Sequence, residues 1–493
     1  MHQLTLNLPL GKIKNLDGKI YVESFKNIIN TFFADCLALI GSWYVFYFLR
    51  FELGIMPTEA SQAPAELFLP ALVIAVFWLV LFSIFGMYNK LYLTSRFDEI
   101  LRVGKVTLLG TLVLFFVLFI DNLGWNTQNI NFAKSYTLTY WLVVFVMVAL
   151  FRVLVLTYEI HQVKRSGKGL HLAVIIGTGE TARDIRANLE RNKTSGMNVV
   201  GFVTENGSSK LPKQIDGVPV IGRLDEIRDI IIRYSIKDVI VALEHEDTEK
   251  LIKIVDDIDI ADVSVKIVPG FIHLISGLNR TNQIFGLPLI EVMPDPMPSW
   301  EKFTKRLFDI LISSIILLIT LPLFLILVLL VRITSTGHAV FRQERVGLYG
   351  RPFTMYKFRT MYEDAEHRSG PVWAKENDPR ITPLGYWLRK LRLDEIPQLF
   401  NVLKGDMSLV GPRPERQFFV EQFKKEIPLY TRRLRVRPGI TGWAQVKWKY
   451  DESFEDVKEK TKYDLFYVEN MSLRMDFKIL INTIFTVIAG KGQ

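Results

Sequence analysis

Asp394 and Glu395 stand side by side, just after Arg389, Lys390 and Arg392, in the last two-fifths of a 493-residue chain. Two adjacent acids displayed by one turn can divide labour: one carboxylate attacks a phosphorus while the other holds Mg²⁺. Cations around them would neutralise phosphate oxygens as charge moves during a transfer. Arg413 suits that task, because Pro412 and Pro414 fix its backbone and its planar fork grips phosphate through two bonds. The same residues admit a plainer reading, with Asp-Glu as a charge pair at a helix N-terminus and Arg413 as a surface turn residue. Spacing alone leaves both open.

The domain that must carry these residues is basic. Residues 301–493 hold 32 Lys and Arg against 22 Asp and Glu, so the whole formal charge of +9 resides there. Such a balance suits nucleic acid, an anionic membrane surface or phosphate-bearing substrates, or it is a solvated face. An apolar run of about 25 residues, Leu307–Val331, opens the domain and is interrupted by Asp309 and Pro322. Lys302, Lys305 and Arg306 precede it and Arg332, Arg342 and Arg345 follow, so both flanks read as cytoplasmic. Pro322 removes a backbone donor and favours a sharp kink. The expected path is therefore re-entrant, over about residues 305–331, rather than a fifth span. Phe477–Ala489, at 13 residues, is too short to span and suits an interfacial or core helix.

The length suggests about three domains. Hydrophobic residues make up 49% of the chain, concentrated in long runs, and the single cysteine, Cys36, excludes a disulfide within the chain and any multi-cysteine metal site. Four runs have spanning length: Thr31–Leu49, Leu67–Gly86, Val106–Ile120 (the weakest) and Ser135–Thr157. No cleavable signal peptide is expected, since Lys12, Lys14, Lys19 and Lys26 precede the first run. Arg50 alone follows that run, Lys90, Arg96, Arg102 and Lys105 follow the second, Lys134 alone the third, and Lys164, Arg165 and Lys168 the fourth. This alternation puts the N-terminus and everything after residue 160 in the cytoplasm. Asp35 and Arg152 lie near span ends, where snorkelling or a helix contact is expected.

Between the membrane runs and the basic domain, His171–Ile176 reads as a buried strand entering a turn with Gly177 and Gly179 and then a helix. Gly177 would allow the tight turn, and Gly179 would let a phosphate approach the helix N-terminus. Further strands are expected at Asn198–Thr204, with Glu205 just after, at Val239–Leu243 and at Val263–Ile267. Strand and helix alternate, which indicates a doubly wound, Rossmann-like α/β domain over 168–290. A lone glycine pattern is weak evidence for a nucleotide, so a structural or regulatory module is expected ahead of a dinucleotide site.

Several long motifs occur in order after residue 340: Phe341–Gly347, Phe353–Met361, Asn377–Thr382, Leu388–Glu415 and Arg437–Gln445. In these motifs residues 300–493 resemble the bacterial sugar transferases, the polyprenol-phosphate phosphoglycosyl transferases with one re-entrant membrane helix. The four preceding spans and the Rossmann-like module resemble the large galactose- and glucose-phosphate members. The implied fold is an α-helical membrane protein plus α/β. It has a four-helix transmembrane region (1–160), the Rossmann-like domain (168–290) and a mostly α catalytic domain (300–493).

The resemblance implies a two-step transfer of hexose-1-phosphate from a UDP-sugar to undecaprenyl phosphate, at the inner membrane and facing the cytoplasm. Asp394 would form an aspartyl phosphosugar with release of UMP, Glu395 would act with Mg²⁺, and Arg413 would bind phosphate. Lys357, Arg359, Arg380 and Arg389 would contact phosphate or nucleotide, and Pro322 would break the re-entrant helix. Inner-membrane lipids as partners, a homodimer, no nucleic acid, and a first step of exopolysaccharide, capsule or O-antigen assembly are implied with it. One departure is visible: Arg392 stands two before the dyad, where the family often has serine.

The alternative of another class is a membrane-bound NAD-dependent sugar-nucleotide dehydratase or epimerase, which can share the same front half. Tyr386 and Lys390 have the Tyr-x-x-x-Lys spacing of its acid/base pair, but no second glycine-rich strand-turn-helix precedes them. A third reading is a scaffold for polysaccharide assembly with an inert dyad.

Overall fold

The structure is a computed structural model describing residues 10–52, 68–88, 96–121, 127–166, 171–191, 196–205, 214–243, 248–258, 263–268, 283–284, 287–292, 297–362, 378–448 and 454–488. Lys90, Lys168, Asn377 and Ala489 of the sequence argument lie outside them. The chain divides into two compact units, residues 1–245 with 264–292, and residues 246–263 with 293–493.

Four helices open the first unit: α1 (Leu10–Phe51), α2 (Phe68–Ile84), α3 (Arg96–Asp121) and α4 (Thr127–Ser166). Segments Ile28–Phe51, Arg96–Val117 and Tyr136–Gln162 are long and apolar enough to cross a membrane, whereas α2 has 17 residues. The third segment, expected to be the weakest, is thus of full length, and the second is the shortest. Apolar helices suit lipid because each satisfies its own backbone. They meet through small residues: Ala38 and Ala75 are buried, and a side chain at Gly110 would collide with Trp78. The Trp78 indole donates to the Tyr140 hydroxyl at 2.9 Å.

Asp35 and Arg152 do not reach for the membrane surface; they pair with each other. Arg152 donates to both Asp35 oxygens at 2.8 and 2.6 Å and to Glu99 at 2.7 Å, while the Tyr88 hydroxyl donates to Asp35 at 2.8 Å. Of the two expectations the helix contact is the one found. All three charged side chains are buried, so each compensates another's desolvation.

The first unit also holds a seven-stranded sheet of order β3-β4-β2-β1-β5-β6-β9. Its strands are β1 (His171–Ile176), β2 (Met197–Thr204), β3 (Gln214–Ile215), β4 (Val218–Arg223), β5 (Asp238–Val241), β6 (Ser264–Ile267) and β9 (Ile290–Val292). A short β7–β8 hairpin (Gln283–Ile284, Leu287–Pro288) stands apart. Neighbours from β4 to β6 pair in parallel and the two edge strands antiparallel. Helices α5 (Glu180–Arg191) and α6 (Ile227–Tyr234) cross between strands, while α7 (Thr248–Ile258) groups with the second unit. The four expected strands are present, joined by three that the pattern did not reveal. Gly177 (φ +116°) ends β1, and a side chain there would come within 2.2 Å of the Ala242 carbonyl, so its smallness serves strand packing as well as the turn.

After α7, the second unit continues with α8 (Ser299–Thr334), helical through Pro322. At 1.5 Å per residue it is about 54 Å long if straight. Yet both its halves pack on the same body. Ile312 and Leu317 join a core with Leu399, Val402 and Trp443, while Leu327 and Val331 are buried beside Phe358 and Leu388. Between them Leu318 and Ile319 are more than 70% exposed. After α8 come a hairpin, β10 (Val340–Val346) with β11 (Pro352–Phe358), then α9 (Pro383–Lys390) and α10 (Gln398–Lys404). A parallel pair, β12 (Ser408–Val410) and β13 (Gly439–Thr441), holds the middle. Helices α11 (Gln417–Glu426), α12 (Trp443–Lys447), α13 (Phe454–Glu469) and α14 (Leu473–Ile488) complete it. The last of these is the short apolar helix expected near the C-terminus.

Candidate active site

Local sequence presents the dyad on one tight turn. Thr382 caps α9 by accepting from the Gly385 N–H at 2.9 Å, and Pro383 starts the helix. The chain reverses at Arg392 in the left-handed region (φ 55°) and winds through Leu393–Glu395 as a 3₁₀ turn into α10. Asp394 and Glu395 are both 8% exposed.

Three cations converge on Glu395. Arg413 donates to its Oε1 at 3.1 Å, Lys357 Nζ on β11 lies 3.5 Å from the same oxygen, and Arg392 lies 3.8 Å from Oε2. Burial pushes the Glu395 carboxyl up, but Arg413, Lys357 and Arg392 outweigh it and hold it down at about 2. Asp394 differs. Burial and the Glu395 charge raise it, against Lys357, Arg389 and Arg413, and no described residue donates a hydrogen bond to its carboxylate. Burial and the Arg413 charge push the Lys357 ammonium down to about 8 despite both acids.

The Arg413 turn is rigid. Gly411 N–H donates to Thr441 O, Gly439 N–H to Pro412 O, Arg433 to Arg413 O at 2.8 Å, Arg345 to Pro414 O at 3.1 Å and Val346 N–H to Glu415 O. Arg433 is itself pinned by Asp464 at 2.7 Å and the Tyr430 hydroxyl at 2.7 Å. The sequence argument missed Arg433, Arg345 and the role of Arg392 as a partner of Glu395. Arg433 acts on a backbone carbonyl 20 residues away, which no spacing rule reveals.

Of the named residues, Asp394, Glu395, Lys357 and Arg413 come together, and the Arg389 charge acts on Asp394 while its Nε donates to Thr360 at 2.8 Å. Two face elsewhere. Arg359 donates to the carbonyl and hydroxyl of Ser335, at the end of α8, and Arg380 grips Asp378. Tyr386 is exposed and Lys390 lies over the Tyr386 and Trp387 rings, without a described link to the dyad.

Among the described residues no three metal-ligating side chains cluster. The adjacent carboxylates of Asp394 and Glu395, the latter held anionic, have the chemistry of the one or two protein ligands that Mg²⁺ takes alongside substrate phosphates and water.

Residues 300–490 match the family described as bacterial sugar transferase, and residues 83–269 match a CoA-binding domain. The chain is 41% identical over 233 residues to a UDP-N-acetylgalactosamine-undecaprenyl-phosphate N-acetylgalactosaminephosphotransferase of Aeromonas hydrophila, covering 47% of this chain and 54% of that protein. It is 33% identical over 336 residues to the UDP-glucose:undecaprenyl-phosphate glucose-1-phosphate transferase of Xanthomonas campestris pv. campestris, covering 67% and 69%. To the undecaprenyl-phosphate galactose phosphotransferase of Salmonella typhimurium it is 32% identical over 369 residues, covering 71% and 74%. The Asp394-Glu395 pair, with Glu395 held anionic by cations, is thus carried by a chain that belongs to the bacterial sugar transferase family.

Proposed function

We propose that this protein transfers a hexose-1-phosphate from a UDP-sugar to undecaprenyl phosphate through an aspartyl intermediate. The observation that carries the reading is the divided dyad: Asp394 accepts no hydrogen bond from the described residues, while Glu395 is held anionic by Arg413, Lys357 and Arg392. An Asp394 oxygen attacks the β-phosphorus of the donor. The bond from that phosphorus to the bridging oxygen breaks, and UMP leaves with the electron pair. A phosphate oxygen of the lipid then attacks the same phosphorus, and the bond to Asp394 breaks. Arg413 and Lys357 stabilise charge on the transferring phosphoryl oxygens. Glu395, with Asp394 beside it, would hold Mg²⁺, which when bound supplies further charge neutralisation.

The lipid acceptor requires a site at the membrane surface. The re-entrant path of α8 is supported by the return of both its halves to one body and by Pro322 between them. Everything after residue 160 then lies in the cytoplasm, where UDP-sugars are found. A regulatory or structural role suits the middle domain.

The test is to incubate membranes containing the protein with Mg²⁺ and radiolabelled UDP-glucose, UDP-galactose or UDP-N-acetylgalactosamine. Label should enter the lipid extract with matching UMP release from one of these donors. Change in NADH without lipid label would establish the dehydratase reading instead, and neither signal would overturn both.

A further inference from the structure

Charged residues at the base of a membrane helix ordinarily reach outward to headgroups. Lys305 turns inward. Its Nζ donates to the Val410 carbonyl at 3.0 Å and to Asp476 at 2.6 Å, and its side chain is 14% exposed. One helical turn on, Asp309 is 4% exposed, and its Oδ1 accepts the Leu409 N–H at 3.0 Å. Tyr467 closes the group, its hydroxyl donating to Asp476 at 2.7 Å and lying 3.3 Å from the Val410 carbonyl oxygen. Between Lys305 and Asp309, Arg306 donates to the Val402 and Leu403 carbonyls at 2.7 and 2.9 Å, at the end of α10.

These contacts fall on the two segments that carry the site. β12 ends at Val410, three residues before Arg413, and α10 follows directly on the Asp394-Glu395 turn. We propose that Lys305 and Asp309 are positioning residues of the transfer site, holding β12 and through it the Arg413 turn at the distance from Glu395 that the reaction needs. The membrane helix is then part of the active-site scaffold as well as an anchor. An anchoring role alone needs a cation at this level; it does not need a buried acid on a backbone N–H, nor a lysine on a backbone carbonyl.

The inference rests on Arg413 acting in phosphosugar transfer, and two measurements on the full-length protein separate it from that reading. Hydrogen exchange followed by mass spectrometry needs no substrate. Lys305→Met and Asp309→Leu should speed exchange of the Leu409 and Gly411 amides at least tenfold while the α11 amides keep their wild-type rates. Asp309→Asn, which keeps the acceptor oxygen, should restore protection. Unchanged exchange at Leu409 and Gly411 overturns the proposal, and so does faster exchange in α11 as well, which would mean general loosening.

The second measurement is a double-mutant cycle on the rate of UMP release. Lys305→Met should lower kcat about tenfold or more, with KM changed less than twofold, when Arg413 is present. In an Arg413→Ala background it should change kcat less than twofold. An equal loss in both backgrounds would show that Lys305 does not act through Arg413. A wild-type protein that transfers from none of the donors would sink the proposed function, and the exchange experiment would still decide the contact.

Discussion

Asp394 and Glu395 are joined by one peptide bond yet meet opposite surroundings, and the proposed division of labour between them rests on that difference. Glu395 is tied to cations, whereas the Asp394 carboxylate accepts no hydrogen bond from the described residues. Asp394→Asn should therefore abolish UMP release and the covalent intermediate, measured as trapped label on the protein; undiminished release would remove Asp394 from this role. Arg413→Ala should cost roughly 10²–10³ in rate, the scale seen when one transition-state donor is removed. Lys357 gives a pH signature. It is charged below pH about 8 and neutral above, so UMP release should fall as pH rises through about 8, and Lys357→Arg should abolish that fall. The stability effect has the opposite sense. Free lysine titrates near 10.4, so above about 8 the unfolded chain binds more protons, and stability rises with pH until about 10.4. The dyad, Arg413 and Lys357 were legible because they sit in dense, ordered motifs. Arg359 and Arg380 sit in the same motifs but turn to Ser335 and Asp378, since a motif gives proximity in sequence without the direction of a side chain.

At the scale of elements, periodicity and length revealed the long pieces and left out the short ones. The four membrane helices and four parallel strands stand out because each is a sustained apolar run. β4 did not, because Pro219 and Gly222 break its apolar pattern, yet a signal was there: Asp216-Gly217, both at positive φ, form the two-residue turn of the β3–β4 hairpin. Gly177→Ala should destabilise the middle domain, because its methyl would press on the Ala242 carbonyl and its φ of +116° strains any L side chain. Lower thermal stability of the purified protein would register it. The Asp35–Arg152–Glu99 cluster could not be read from sequence, which gives no partner across 117 residues. Arg152→Leu leaves two buried carboxylates without their cation and should cost about 3–5 kcal/mol of bundle stability. Thermal unfolding in detergent is the measurement, and a wild-type midpoint would mean that the cluster adds nothing.

For the whole molecule, the question that decides function is on which side of the membrane the site faces. Asp35 near the start of the first span, Tyr88 after α2, Glu99 at the start of α3 and Arg152 towards the end of α4 all meet. Such a meeting fits helices that alternate in direction, the arrangement that the loop charges imply. Among the described residues past α4, α8 alone is long and apolar enough to cross a membrane. A straight helix of about 54 Å would carry its far end away from its near end, yet Phe324 packs on Phe358 and Phe400 while Arg306 holds carbonyls at Val402 and Leu403. A bend at Pro322 reconciles these contacts, since it leaves the Leu318 carbonyl without its helical donor. Ile333 is 72% exposed at the end of the second half, and Cys36 is the chain's sole cysteine. In a Cys36→Ser background, Ile333→Cys should react with a membrane-impermeant thiol reagent in inside-out vesicles and stay unlabelled in intact spheroplasts. Adding Pro322→Leu should restore the helical bond, favour a spanning path and move labelling to the spheroplasts. Labelling of Ile333→Cys from the periplasm with Pro322 in place would make α8 a fifth span and separate the site from a cytoplasmic donor.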